Sequence, residues 1–331
     1  MASLLNSFSQ LMTPDTIGQL SRVVGVDGSQ AQKGLDVIGP LVLGSLARKS
    51  ETVTGMDSIM RLLPQETTGS LLGNLLGSAG RQAPGSTASL LTGVLGPGVS
   101  TIGKALGGRL GFDATPLLSV AAPAILGLIS TTAKEQKLNS ADIAKTLQSE
   151  HTATMASVKP EVQAVLTEAF RLSDKAEKLK ATFTDDEWKH IRIAPLAATY
   201  YVASASPSGF TGLAKEVIAA GDTMKSLVKN ALPTSLVDVA YGSFEGKLDL
   251  EKDIRISETA PRSGMLGIVR AAAQAVKAKS LVDAPTFGET IVAISKKVAE
   301  ASKEGGILGI GGTRVSKEEE QAIAEISSAV A

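Results

Sequence analysis

The chain has 331 residues, 43% of them hydrophobic, with 33 Lys+Arg balanced by 33 Asp+Glu, two histidines and no cysteine. That apolar content suffices for sizeable cores and excludes a disordered chain. The even charge balance argues against broad electrostatic binding of nucleic acid, and the lack of cysteine excludes disulfides, thiolate metal sites and cysteine nucleophiles.

Met1 to Met12 has neither a basic n-region nor a long apolar h-region, so no secretory signal is expected and the cytoplasm is the default location. Thr13 is a good N-cap, and Pro14 sits at the first helical position, where its missing N–H costs nothing. The helix they open carries Ile17, Leu20, Val23 and Val24 on one face, and Gly25 is placed to stop it. Asp27 or Ser29 then caps a second helix through Leu35, Ile38 and Leu41 to Leu46. A third is expected near Met56–Leu63. Residues 67–87 read as a Gly/Ser-rich linker around one apolar stretch that holds Leu71, Leu72, Leu75 and Leu76. A short packed helix fits this stretch better than an interfacial membrane segment, because no basic face accompanies the leucines.

The next stretch repeats the first. Ala2-Ser3-Leu4-Leu5 recurs as Ala88-Ser89-Leu90-Leu91, Thr16-Ile17-Gly18 as Thr101-Ile102-Gly103, and Pro40-Leu41-Val42-Leu43-Gly44 as Pro123-Ala124-Ile125-Leu126-Gly127. Three matches in one order imply a duplicated module, with copies at 2–66 and 88–150 related by a pseudo-twofold. Each copy reads as three helices. Thr115-Pro116 opens the second helix of the second copy, and Asn139 or Ser140 caps its third, near Ala141–Leu147. Pro40 and Pro123 are expected to kink their helices or start new ones. Leu117–Ile129, the longest apolar run, is too short for a membrane span and reads as a core helix.

The Thr13-Pro14 opening, the Gly25-Val26 break, Pro40-x-x-x-Gly44, Gly55-Met56 before Leu62-Leu63 and the Gly69–Gly77 leucine-glycine segment resemble the YidB-like family, a bacterial domain of unknown function numbered 937. Gly111-Phe112 and Pro123-x-x-x-Gly127 fit it again, so the resemblance covers residues 3–130. It implies a small helical fold in bacteria, and no activity, cofactor or catalytic residue.

His151 to Val158 reads as a hinge, which bounds a first domain at 1–150 and a second at 158–331. A charged helix, Glu161 to Lys180, carries Val162, Val165, Leu166, Ala169, Phe170 and Leu172 on one face. Thr184-Asp185-Asp186-Glu187 is a capping box flanked by Phe183 and Trp188 at staple positions. Further helices are expected at Leu213–Ala231, Leu236–Tyr241, Met265–Ala278 and Phe287–Lys303, with a last one opened by Ser316-Lys317-Glu318-Glu319. Strands have little support, since β-branched and aromatic runs with period two are scarce. The fold class is all-α: a duplicated three-helix module followed by a second helical domain.

Candidate chemistry is thin. Gly98-Val99-Ser100-Thr101-Ile102-Gly103-Lys104-Ala105 falls short of a phosphate loop, because Ala105 replaces the magnesium-binding hydroxyl and no strand precedes it. The glycines of Gly305–Gly312 follow a helix rather than a strand, so they read as a turn that packs Ile307, Leu308 and Ile310 inside the domain or against another copy. His151 and His190 lack metal-ligand spacing, and the acidic runs at 185–187 and 318–320 lie at helix N-termini, where carboxylates complement the dipole. The sequence therefore points to a non-enzymatic interaction or scaffold protein that self-associates. Leu71, Leu72, Leu75, Leu76, Ile307, Leu308 and Ile310 are its candidate contact residues, and no cofactor or metal is expected. The alternatives are a membrane-surface protein acting through the leucine-glycine segments and an enzyme with its site in the C-terminal helices.

Overall fold

A computed structural model describes residues 3–64, 84–205, 213–243, 262–301 and 315–331. Among them the secondary structure is helical and holds no strand. The chain divides into two compact units, Met1–Ala176 and Glu177–Ala331.

The first unit begins with α1 (Leu4–Leu11), α2 (Pro14–Val24), α3 (Gly28–Lys49) and α4 (Val53–Leu62). The sequence signals act locally as expected. Thr13 Oγ1 accepts from Thr16 N, and Gly25 ends α2 at φ 73, a backbone region that disfavours a Cβ. Asp27 and Gln30 close a capping box on α3. The set then recurs as α5 (Pro84–Leu95), α6 (Val99–Leu110), α7 (Thr115–Glu135) and α8 (Ser140–Ser157). Gly111 ends α6 at φ 80, as Gly25 ends α2. Each copy thus carries four helices rather than three, the added ones being α1 and α5. Neither Pro40 nor Pro123 ends its helix.

The two copies interlock. α1 and α2 pack on α7, and in the same way α5 and α6 pack on α3; α1 touches α8 as α5 touches α4. The pairs α3–α7 and α4–α8 stand across the centre. This reciprocity is what a pseudo-twofold demands, and it lets one core form from both halves: Ile38, Leu41, Val42 and Leu46 share it with Leu118, Ala121, Leu126 and Ile129. α7 is long and apolar enough to cross a membrane by length and composition, with mean hydropathy 1.6, but 67% of its apolar window is buried within the protein.

His151 is not in a hinge, because α8 runs unbroken to Ser157 and its backbone hydrogen bonds hold the segment helical. Only Val158 and Lys159 separate α8 from α9 (Pro160–Ala181). Leu166, Ala169 and Phe170 of α9 belong to the first core, so the compact unit reaches Ala176, beyond the 150–158 break expected from the sequence.

The second unit is built on α10 (Asp185–Ala203), capped by the Thr184–Glu187 box and flanked by the Phe183–Trp188 ring contact at 6.0 Å. α11 (Leu213–Asn230), α12 (Leu236–Tyr241), α13 (Arg262–Lys279), α14 (Ala284–Ala301) and α15 (Lys317–Val330) follow, and each packs on α10. Ala194 to Ala203 of α10 are all buried, because small residues let neighbouring helices approach from every side. The fully buried Tyr241 hydroxyl donates to Ile191 O at 2.7 Å, which satisfies it in the core.

Candidate interaction surface

Two tight turns of the second unit are tied together. The α11–α12 turn is Leu232-Pro233-Thr234-Ser235, closed by Ser235 N donating to Leu232 O at 3.0 Å. Proline at its second position and Thr234 at φ 65 match a type II turn. A β-branched residue at positive φ is strained, so the turn is held by its surroundings: Thr234 N donates to Asp238 Oδ2 at 3.1 Å. In the α13–α14 turn, Asp283 accepts from Ser280 Oγ through Oδ2 at 2.5 Å, and through Oδ1 it accepts Leu236 N at 2.9 Å. One carboxylate thus staples the two turns.

This scaffold presents three large apolar side chains to water: Leu232 is 77% exposed, Leu281 79% and Val282 86%. A scattered exposed leucine means little, but here three apolar side chains stand on two turns that Asp283 ties together. Lys229, Lys277 and Lys279 lie in the last turns of α11 and α13, and Lys279 pairs with Glu187 at 2.6 Å. The sequence reading passed over this surface because its residues fall between helices, where no periodicity flags them. The visible signal was two apolar residues, Leu281-Val282, inside a Ser-to-Asp turn.

Leu71, Leu72, Leu75, Leu76, Ile307, Leu308 and Ile310 lie outside the described residues. The phosphate-loop-like stretch is placed: Gly98 precedes α6, and Lys104 lies within that helix. A Cβ at Gly98 would stand 3.1 Å from Ala176 Cβ, so the glycine admits α9. The acidic runs sit in the first turns of α10 and α15; Glu319 is fully buried, where its carboxylate accepts Ser316 N at 2.8 Å. Among the described residues no three His, Asp or Glu are grouped to hold a metal ion. A cleft of about 110 Å³ between α1 and α3 is lined by Leu5, Phe8, Met12, Leu35 and Pro40, with Gln32 donating to Asp36 at 2.8 Å beside it. Ser9, Gln32 and Asp36 give its lining a polar part, and the one carboxylate is already engaged by Gln32.

Neither a curated protein nor a solved structure matches the chain. Residues 6–132, which run from α1 into α7, match the family described as bacterial protein of unknown function (DUF937).

Proposed function

We propose that the protein is a non-enzymatic helical interaction protein that self-associates through the apolar tip of its second unit. The observation that carries this reading is the joint exposure of Leu232, Leu281 and Val282 on turns fixed by Asp283. Burying such side chains contributes about 1.5–3 kcal/mol each, and a rigid turn loses little entropy on contact. The tip is small, so it suits a symmetric pairing in which the same patch serves both partners.

The cysteine-free sequence supplies a direct test. With Leu281→Cys as the only thiol, a twofold pairing of tips places two copies of residue 281 close together. Mild oxidation is expected to give a covalent dimer in high yield at micromolar protein. Asp15→Cys, exposed on α2 of the first unit, serves as the control: it keeps the apolar tip and is expected to give little covalent dimer. Equal yields from the two variants would refute pairing through the tip. Co-sedimentation of the wild type with liposomes, lost in Leu281→Asp, would instead assign the tip to a membrane surface.

A further inference from the structure

His151 sits where three helices of the first unit meet. It projects from α8 against α3 at Gly44, and its ring meets Phe170 of α9 edge-on at 5.7 Å. The fit is close: a Cβ at Gly44 would stand 2.5 Å from Phe170 Cζ and 2.9 Å from both Cε1 and Nδ1 of His151. The Arg48 guanidinium lies over the Phe170 ring at 5.2 Å and pairs with Asp174 of α9. Beside the imidazole, α9 thus meets α3 through one aromatic ring and one ion pair, in addition to the burial of Leu166 and Ala169 in the first core. His151 Nδ1 is buried and has no hydrogen-bond partner.

We propose that this cluster is an acid-sensitive latch: protonation of His151 releases α9, the helix in which the first unit ends, from α3. An imidazolium here would carry an Nδ1–H without an acceptor, in a place sheltered from water. It would also stand beside Arg48, a like charge that the latch already uses. The charges that face the ring are Arg48 from α3, Glu51 just beyond α3, and Asp174 from α9, which Arg48 engages. Burial holds the His151 pKa below the ordinary histidine value of 6.5; Arg48 lowers it further, and Glu51 opposes them. The folded state thus prefers the neutral ring. Docking of α9 is fully supported above pH 6.5 and is lost as pH falls through the lower, folded value.

The two histidines make the test direct. Proton NMR of the full chain resolves two imidazole titrations, assigned with His190→Gln. Hydrogen exchange of residues 160–176, corrected for the intrinsic pH dependence of amide exchange, reports the docking of α9. The expected result is a His151 midpoint below 6.5, with opening that grows about tenfold per pH unit between 6.5 and that midpoint. His151→Phe, which keeps the ring, is expected to remove the pH dependence at unchanged helix content; His151→Gln does the same if the larger ring does not fit. A midpoint at or above 6.5, a wild type whose 160–176 exchange ignores pH, or variants that keep the wild-type pH dependence would each overturn the latch.

Discussion

Single atoms decide how this chain tolerates change. Gly44 admits Phe170 and His151, and a methyl group there meets both rings in a packed core. Gly44→Ala is expected to cost about 1–3 kcal/mol, the range for overpacking. Gly108 is the contrasting case: it is exposed in α6, and nothing lies within 4 Å of an added Cβ. Gly108→Ala is expected to stabilise by about 0.5–1 kcal/mol, because alanine has less unfolded-state freedom to lose. Urea unfolding of both variants checks the pair, and equal shifts would contradict the packing described here. The local signals readable at this scale were the ones that act within a few residues. Thr13, Asp27, Asn139, Thr184 and Ser316 all cap helices, since a side-chain oxygen three residues before a free N–H needs no tertiary partner. The environment of His151 was not readable, because it depends on Gly44 and Phe170, which are remote in sequence.

Between elements, the stability of one segment depends on what packs against it. α9 looks in the sequence like the first helix of a second domain, since Pro160 breaks the chain before it. Its apolar face nevertheless completes the first core. A fragment of residues 1–181 is expected to unfold at higher temperature than one of residues 1–159, which keeps α8 whole but uncovers Gly44 and His151. Circular dichroism melting checks this; identical midpoints would assign α9 elsewhere. Pattern alone could not place the boundary, because an amphipathic helix announces that it has a partner and not which one. The duplication was legible for the opposite reason: identical motifs in one order need no packing to be recognised. In the second unit, Asp283→Ala removes the acceptor of Leu236 N and uncouples the two turns. It is expected to lower stability by about 1–3 kcal/mol, as measured by chemical denaturation.

For the whole molecule, the helical class followed from composition and caps, while the proposed contact surface did not. The leucine-glycine and glycine-isoleucine segments drew attention because they are apolar and unusual. The tip at Leu232, Leu281 and Val282 is apolar, too short to show a period, and identifiable only once exposure is known. Its role rests on whether copies of the chain meet there. Sedimentation equilibrium over a range of concentrations decides this most directly, run on the wild type and on a Leu281→Asp, Val282→Asp double variant. Both substitutions lie in an exposed turn and leave the Asp283 hydrogen bonds in place, so the fold is expected to persist. The expected result is a wild-type mass that rises above the 34.0 kDa of one chain toward twice that value, and a variant that stays at one chain with unchanged helix content. A wild type that remains at 34.0 kDa throughout, or a variant that associates as the wild type does, would contradict self-association through the tip.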